Sequence, residues 1–355
     1  MTRTAANTWQ YVPASRFGEI ASGWDALCKR GAGCLLTSAA FVETALQQLG
    51  AGNETVCLCH GPAGLLAATI VQRDRSLAWD VFRAAQMPLA PWLQEPLQDT
   101  AVLARELLGQ LPGCAVALGI SGLDSRFVQQ PQGTVALALD WLSTGCVDLT
   151  AAPEDYFGTR DGRQMAGLMR RMRKATREVG EVRLHTETLA ERVRPFVAQY
   201  AALEGRSWKG RQGTALQLGD AQSNFYTALL ERMASHRHVR LYTLTIGAHV
   251  AAGQMALCEG DTLYLLKTTF SPDLQNLGPG VMMHYLITRH CYEAEPALRR
   301  IELYGRLNPS QQLWITGSRP MFHLNVYRSA LVLRAHRWLI SQRTQRRAGT
   351  TAASH

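Results

Sequence analysis

Residues 240–270, RLYTLTIGAHVAAGQMALCEGDTLYLLKTTF, decide the fold of this chain. Apolar and β-branched residues concentrate in three runs of this stretch, which predict strands at Arg240–Ile246, Val250–Cys258 and Thr262–Phe270. The turns between these strands contain glycine and are far too short for the crossover that parallel neighbours require. The stretch therefore predicts an antiparallel meander.

The segments around the meander predict helices and further strands. Amphipathic and apolar patterns place helices at Arg163–Val179, Leu184–Tyr200, Gln222–Ser235 and Val281–Ala294, and strands at Arg299–Tyr304 and Pro320–Tyr327. This order indicates the α/β class in its α+β form, with a mixed, mostly antiparallel sheet flanked by helices.

The first 150 residues also predict a mixed α/β domain. Helices are expected at Thr37–Leu49 and Thr100–Leu111, and strands at Glu54–Cys59, Leu65–Gln72 and Thr134–Asp140. Gly145–Asp161 has the composition of a connection. We therefore expect an N-terminal domain at 1–150, a C-terminal domain at 151–328 and a basic helical tail at 329–355.

Composition limits the class of the protein and its partners. The 355 residues are 46% hydrophobic and 18% charged, which is a globular composition with room for two cores. The net charge of +9 favours anionic partners, such as a phosphate-bearing cofactor, nucleic acid or an acidic membrane surface near the tail. The eight cysteines have no paired spacing, and the N-terminus lacks the apolar core of a signal peptide, so we expect free thiols and a cytoplasmic location. Cys57-Leu58-Cys59-His60 is interpreted as a buried strand, and no metal site is expected.

The loop after the meander carries the functional signal. Its residues Gln275-Asn276-Leu277-Gly278-Pro279-Gly280 open the next helix. A helix N-terminus presents unpaired N–H groups and partial positive charge, and glycine lets the backbone approach a diphosphate closely. Because Pro279 has no N–H, the expected donors are Leu277, Gly278, Gly280 and Val281.

With this loop the chain resembles the GNAT acyltransferases, which bind the CoA diphosphate in a Gln/Arg-x-x-Gly-x-Gly/Ala loop between the fourth strand and the following helix. Other stretches are similar to the CelD-like (cellulose-biosynthesis-type) branch of that superfamily: Glu204-Gly205-Arg206-Ser207-Trp208-Lys209-Gly210, Lys267 at the end of the fourth strand, and Gly305-Arg306-Leu307-Asn308 with Trp314 downstream. This chain has Asn308 where the family usually has Asp, and Gln311-Gln312 where it has Tyr-Lys. The resemblance implies tandem GNAT-like domains, of which the first is degenerate.

The resemblance also implies a catalytic site beside the fourth strand. A backbone N–H near Leu265 or Leu266 would stabilise the thioester oxyanion. Glu204 is the candidate base, Tyr304 is the candidate acid for the departing thiolate, and Lys267 would contact cofactor or acceptor unless it pairs with an acid. The expected acceptor pocket contains Trp208, Lys209, Arg306 and Asn308.

The implied function is direct transfer of an acyl group from acyl-CoA to an amine or hydroxyl. Acetyl-CoA, a longer acyl-CoA or an acyl carrier protein are possible donors, and the acceptor is a small molecule, saccharide or peptide. A Fem-type aminoacyl-tRNA-dependent transferase stays open because the Arg-rich helix would suit RNA, although an intact CoA loop disfavours nucleic acid. A non-catalytic GNAT-fold protein is the third reading.

Overall fold

The computed structural model describes residues 7–31, 34–61, 64–75, 77–131 and 135–338, and these divide into two compact units. The first unit is drawn from Met1–Leu46, Gly50–Trp141 and Pro320–His355, and the second from Gln47–Leu49 and Leu142–Arg319. Each unit therefore combines segments that are distant in sequence.

The elements of the first 150 residues begin with a strand and two helices. In chain order they are β1 (Trp9–Pro13), α1 (Phe17–Arg30), α2 (Ala39–Leu49), β2 (Thr55–Gly61), β3 (Gly64–Arg75), β4 (Ala78–Val81), β5 (Leu93–Gln94), α3 (Thr100–Gln110), β6 (Ala117–Asp124) and β7 (Ala136–Asp148). The predicted helices at α2 and α3 and the predicted strands β2 and β3 are confirmed, and the Ser38 side chain caps α2 by accepting from Phe41 N–H.

The remaining elements run from a short helix at Pro153 to the strand that ends at Tyr327. They are α4 (Pro153–Gly158), α5 (Gly162–Glu178), β8 (Val182–Glu187), α6 (Val193–Gly205), α7 (Trp208–Arg211), α8 (Ala221–Ala234), β9 (Val239–Ile246), β10 (His249–Glu259), β11 (Thr262–Phe270), α9 (Pro279–Ala294), β12 (Arg300–Leu303), α10 (Pro309–Gln312) and β13 (Gly317–Tyr327). Residues 330–338 are helical, and the rest of the predicted tail helix lies outside the described residues.

The two units have sheets of the same design. In the second unit, β8, β9, β10 and β11 are antiparallel neighbours, β11 pairs in parallel with β12, and β12 pairs antiparallel with the end of β7. In the first unit, β1 to β4 are antiparallel neighbours, β4 pairs in parallel with β6, and β6 pairs antiparallel with β13. The predicted α/β class with a mostly antiparallel sheet is confirmed.

The last strand of each sheet comes from the other end of the sequence. Met321–Tyr327 of β13 pairs with Ala117–Asp124 of β6, so the strand that the sequence predicts as the last of the C-terminal domain lies in the first unit. Gly145–Asp148 of β7 pairs with β12 in the second unit. Phe322, Leu324 and Val326 are fully buried in the first core.

Two sequence predictions are wrong. The helix expected at Leu184–Tyr200 is instead the strand β8 followed by α6, because Val182 and Leu184 alternate with polar residues and pair with β9. Pro195 would interrupt a helix that began at Leu184, whereas in α6 it occupies the first turn, where its missing N–H costs nothing. The connection expected at Gly145–Asp161 contains the end of β7 and the short helix α4, which begins at Pro153.

Candidate functional site

The strands β11 and β12 separate in the middle of the second sheet. Their parallel pairing runs from Thr262 and Arg300 to Leu265 and Leu303. Beyond that point a cavity of about 60 Å³ opens, lined from β11 by Leu265, Leu266 and Thr268 and from the other side by Leu303, Tyr304, Gly305, Arg306 and Gln311. The separated strands provide an opening in which a thin substrate arm can approach backbone donors and acceptors.

A β-bulge lies at this opening. On the β10 side, Met255 is opposite Lys267 while the next residue, Ala256, is opposite Leu265, so the ladder skips Leu266. A bulged residue is left out of the regular pairing, which frees its backbone groups to point elsewhere. Leu266 therefore stands at the position where the sequence predicts an oxyanion donor, and it lines the cavity.

The loop between β11 and α9 begins with a 3₁₀ turn, Pro272–Leu277, and ends at Gly278. Gly278 has φ 71° and ψ 50°, the left-handed conformation that glycine adopts most easily, and it is the N-cap of α9 without a side-chain cap. Of the predicted donors, Gly278 N–H donates to Gln275 O and Val281 N–H donates to Gly278 O. Gly280 is the second residue of the helix, whose N–H has no acceptor within α9.

The corresponding helix of the first unit has a different start. α3 also precedes the strand that pairs in parallel, but its N-cap is Asp99, whose carboxylate accepts hydrogen bonds from Ala101 N–H at 2.8 Å and Val102 N–H at 3.1 Å. A fixed carboxylate both occupies the donors and repels an incoming anion. The start of α9 in the second unit is therefore without a side-chain cap, whereas the start of α3 in the first unit is capped by a carboxylate.

Glu204, at the end of α6, is fully buried and holds a cluster of charges. Its Oε1 accepts from Lys209 Nζ at 2.6 Å, and its Oε2 accepts from Leu216 N–H at 2.9 Å and lies 3.1 Å from Lys267 Nζ. The Tyr200 hydroxyl lies 3.4 Å from Oε1. The structure thus brings together three residues that the sequence selects, with every carboxylate oxygen already in contact with donors.

Burial affects the carboxyl and the ammonium of this cluster in opposite ways. Burial alone would raise the pKa of Glu204, but the Leu216 N–H and the two lysines outweigh it, so the pKa is lowered and Glu204 stays ionised. Burial lowers the pKa of Lys267, and the attraction of Glu204 offsets that effect only in part. Lys267 is thus the member of the cluster that gives up a proton more readily than usual.

Tyr304 follows β12 and faces the cavity. Its hydroxyl accepts a hydrogen bond from Arg319 Nη2 at 3.2 Å, and its ring stacks on Tyr264 with centroids 6.5 Å apart. Arg319 also contacts the fully buried Glu302 at 2.8 Å. Because a guanidinium can only donate, the Tyr304 hydroxyl hydrogen points away from Arg319.

The remaining predicted site residues are Arg306, Asn308 and Trp208. Arg306 is exposed and lines the cavity. Asn308 caps α10: its Oδ1 accepts Gln311 N–H at 2.9 Å, and the Gln311 side chain accepts Asn308 N–H at 3.0 Å. This capping box explains why Asn and Gln stand at these positions, since a cap needs an acceptor and not a charge. Trp208 begins α7, and its side chain lies outside the described residues.

Sequence reasoning missed residues that contact this site from other elements. They are Arg171 of α5 beside Gly278, Arg319 of β13 on Tyr304, and Gln254 of β10, which bonds the Thr268 hydroxyl. Each is distant in sequence from its partner, so no local pattern could reveal it. Among the described residues, no group of His, Cys, Asp and Glu side chains could hold a metal ion.

Comparisons with known proteins agree with this geometry. Residues 162–309 match a sequence family described as an acetyltransferase (GNAT) domain. No curated protein sequence matches the chain. The fold and the matching domain together define the class: residues 162–309 form an acyltransferase domain of the GNAT fold, and the first unit repeats its sheet order. The domain that carries the acetyltransferase match is contained in the second unit.

Solved structures share the fold at low sequence identity. The C-terminal domain (DUF2156) of a putative lysylphosphatidylglycerol synthetase from Agrobacterium fabrum is 13% identical, with 90% of this chain and 96% of that one covered at a TM-score of 0.56. L-PGS from Bacillus licheniformis is 13% identical, with 87% and 92% covered at a TM-score of 0.53. FemX is 10% identical, with 91% and 98% covered at a TM-score of 0.55.

Proposed function

We propose that the second unit transfers an acyl group directly from acyl-CoA to an amine or hydroxyl acceptor, as an enzyme of the CelD-like branch. The observation that carries this proposal is the start of α9, where Gly278 leaves a helix N-terminus without a side-chain cap, in the segment that follows β11, and β11 lines the opening toward β12. That arrangement suits a diphosphate at the helix and a pantetheine arm between the strands. The helix start of the first unit, closed by Asp99, does not suit an anion.

In the proposed reaction the acceptor nitrogen or oxygen bonds to the thioester carbonyl carbon while the carbon–sulfur bond breaks. The carbonyl oxygen gains negative charge, and a backbone N–H at the Leu266 bulge stabilises it. The electron pair of the broken bond leaves with sulfur, which takes the proton of the Tyr304 hydroxyl. Because Arg319 donates to the Tyr304 oxygen, the hydroxyl hydrogen of Tyr304 points away from Arg319.

We propose Lys267, in its neutral form, as the group that takes the acceptor's proton. Glu204 is the base that the sequence suggests, but its pKa is lowered and both of its carboxylate oxygens already contact donors, which suits an anchoring role better than that of a base. Glu204 anchors Lys209 and Lys267 at the acceptor side of β11. Lys209, with Trp208, remains proposed for the acceptor pocket, and Arg306 for the cavity entrance.

The test of this function compares Gly278→Asp with Gly278→Asn. Both side chains tolerate a left-handed backbone better than most, so both variants are expected to fold. Aspartate places a carboxylate at the start of α9, as Asp99 does on α3, and should weaken CoA binding by about 100-fold or more, whereas asparagine should weaken it much less. Isothermal titration with CoA measures both dissociation constants. A folded Gly278→Asp variant with the CoA affinity of the wild type would refute the proposal.

A second candidate is an aminoacyl transferase of the Fem type. It is favoured by the exposed arginines of α5, since a basic helix can contact phosphates of RNA, and the fold is shared with FemX. Acyl transfer that needs only acyl-CoA and acceptor, and that survives nuclease treatment, would distinguish the first candidate from this one. Transfer from acyl carrier protein alone would identify the donor instead.

We also propose a cytoplasmic enzyme whose tail touches an anionic membrane. The eight cysteines show no paired spacing in the sequence, which fits a reducing compartment. No helix of the described part of the chain is long and apolar enough to cross a membrane. In the helix 330–338, Leu331 is 74% and Trp338 is 61% exposed, and Arg334 and Arg337 are exposed beside them.

Liposome sedimentation tests the tail, since each basic residue near an anionic leaflet contributes about 1 kcal/mol. The full chain should pellet with vesicles that contain phosphatidylserine, and a chain ending at Arg328 should stay in the supernatant. Vesicles of phosphatidylcholine alone are the control. Equal pelleting of the two chains on anionic vesicles would exclude the tail as the contact.

A further inference from the structure

Arg171 of α5 lies against the turn that opens α9. A Cβ placed on Gly278 would be 3.3 Å from Arg171 Nε and 3.6 Å from its Cδ. The left-handed φ of 71° disfavours most side chains other than those of asparagine and aspartate at this position, and any Cβ here would require the Arg171 side chain to shift slightly. Gly278 thus lets a guanidinium sit directly beside the helix N-terminus.

The Nε of Arg171 is buried and has no hydrogen-bond partner among the described residues. A buried donor without an acceptor is destabilising, and native proteins rarely leave one without a reason. The guanidinium is always charged and cannot escape this cost by losing its proton. An anion that binds at the start of α9 would supply the missing acceptor.

We propose that Arg171 is a ligand of the CoA diphosphate, together with the backbone of residues 277–281. This inference rests on the proposed function and adds a side chain to its phosphate site. The planar guanidinium carries several N–H donors, which match phosphate oxygens well, and it brings a full positive charge to a helix end that has only a partial one. The diphosphate is therefore held from two elements, α5 and α9.

The neighbours of Arg171 on α5 do not share this position. Arg170 and Arg173 are exposed. Lys174 and Arg177 contact Glu178 at 3.7 Å and 3.0 Å, which directs them along the helix surface. Arg171 is half-buried and faces the loop, so its role is separate from a general attraction between a basic helix and an anion.

The experiment measures three ligands by isothermal titration: CoA, 3′-dephospho-CoA and pantetheine. Arg171→Gln should lose about 10- to 100-fold in affinity for CoA and the same factor for 3′-dephospho-CoA, because both contain the diphosphate. Its affinity for pantetheine, which lacks phosphate, should equal that of the wild type. Arg171→Lys should recover part of the loss, and Arg173→Gln, which removes the same charge from an exposed site, should lose less than threefold.

The outcomes separate this inference from the proposed function. Wild-type protein that does not bind CoA contradicts the proposed function itself. Wild-type binding with equal affinity in a folded Arg171→Gln variant overturns only the role of Arg171. A loss confined to CoA and absent for 3′-dephospho-CoA also overturns it, because the arginine would then read the 3′-phosphate. Thermal melts of each variant verify that the fold is intact.

Discussion

At the scale of single residues, the surroundings of Glu204 and Lys267 shift the pKa values of both groups. A carboxylate held by two ammonium groups and a backbone N–H keeps its charge, and the pKa of Glu204 is lowered. Burial lowers the pKa of Lys267, which lies beside Glu204, as well. The cluster therefore combines a carboxylate whose pKa is lowered with a lysine, Lys267, whose pKa lies below its ordinary value.

Lys267→Arg tests the base at this scale. Because the neutral amine is the active form, the rate of acyl transfer should rise with pH through the pKa of Lys267, and that rise should lie below the usual lysine value of about 10.4. Arginine keeps the ion pair with Glu204 but stays charged, so the rate should fall by about 10²- to 10⁴-fold at every pH. Initial rates from pH 6 to about 10 give the profile.

Lys209→Arg is the matched control for that profile. It changes the other ammonium on Glu204 in the same way and should leave the shape of the pH dependence unchanged. A Lys267→Arg enzyme with the rate and profile of the wild type would exclude Lys267 as the base.

At the scale of elements, the two ends of α9 differ in their polar contacts. Its N-terminus begins at Gly278, without a side-chain cap. Beyond its C-terminus, Glu295 lies 2.6 Å from Arg240 of β9 and 3.5 Å from His290. Burial raises the pKa of Glu295, but the hydrogen bonds from His290 and Arg240 outweigh it and lower the pKa to about 2. This ion pair attaches the helix to the sheet and keeps its start in place.

Glu295→Gln should lower the free energy of unfolding by about 3 kcal/mol at pH 7, from a pKa difference of roughly 2.5 between folded and unfolded chains. The folded pKa lies below the unfolded one, so this stabilisation is complete above about pH 4.5 and is lost as the pH falls toward 2. Urea titrations at pH 7 and pH 3.5 should therefore show a smaller difference between variant and wild type at the lower pH. Glu293→Gln, an exposed neighbour paired with Arg289, is the control and should change little at either pH. A pH-independent difference for Glu295 would contradict the argument.

At the scale of the whole molecule, the units are not continuous in sequence. The first unit takes β13 from the end of the chain, and Phe322, Leu324 and Val326 of that strand are fully buried in its core. Removing one such side chain costs roughly 2–5 kcal/mol, so the loss of all three is comparable to the total stability of about 5–15 kcal/mol that is typical of a domain. A fragment that stops before β13 lacks all three.

Expression of residues 1–150 tests this dependence. The fragment alone should lack a cooperative thermal transition, because β6 has lost its neighbour β13 and the core has lost three large side chains. The same fragment joined by a flexible linker to residues 317–338 should regain the transition. Circular dichroism melts compare the two chains. A cooperative melt of 1–150 without the added strand would show that β13 is dispensable.

The sequence by itself determined the local elements whose signals are short in range. Apolar runs separated by tight turns gave the meander β9 to β11, and glycine beside proline at the head of a helix marked the loop at Gly278. The α/β class follows from these elements, because their order and turn lengths permit few sheets. Where a local signal was misread, as at Pro195, the physical reason was present in the sequence.

Only the tertiary structure decided which distant residues meet. Register between β10 and β11 creates the bulge at Leu266, and packing of α5 on the loop brings Arg171 to Gly278. The exchange of β13 and the end of β7 between sequence halves depends on pairing across long separations, which leaves no periodicity to read. The charge states of Glu204 and Lys267 likewise depend on burial, a property of the folded chain and not of its residue types.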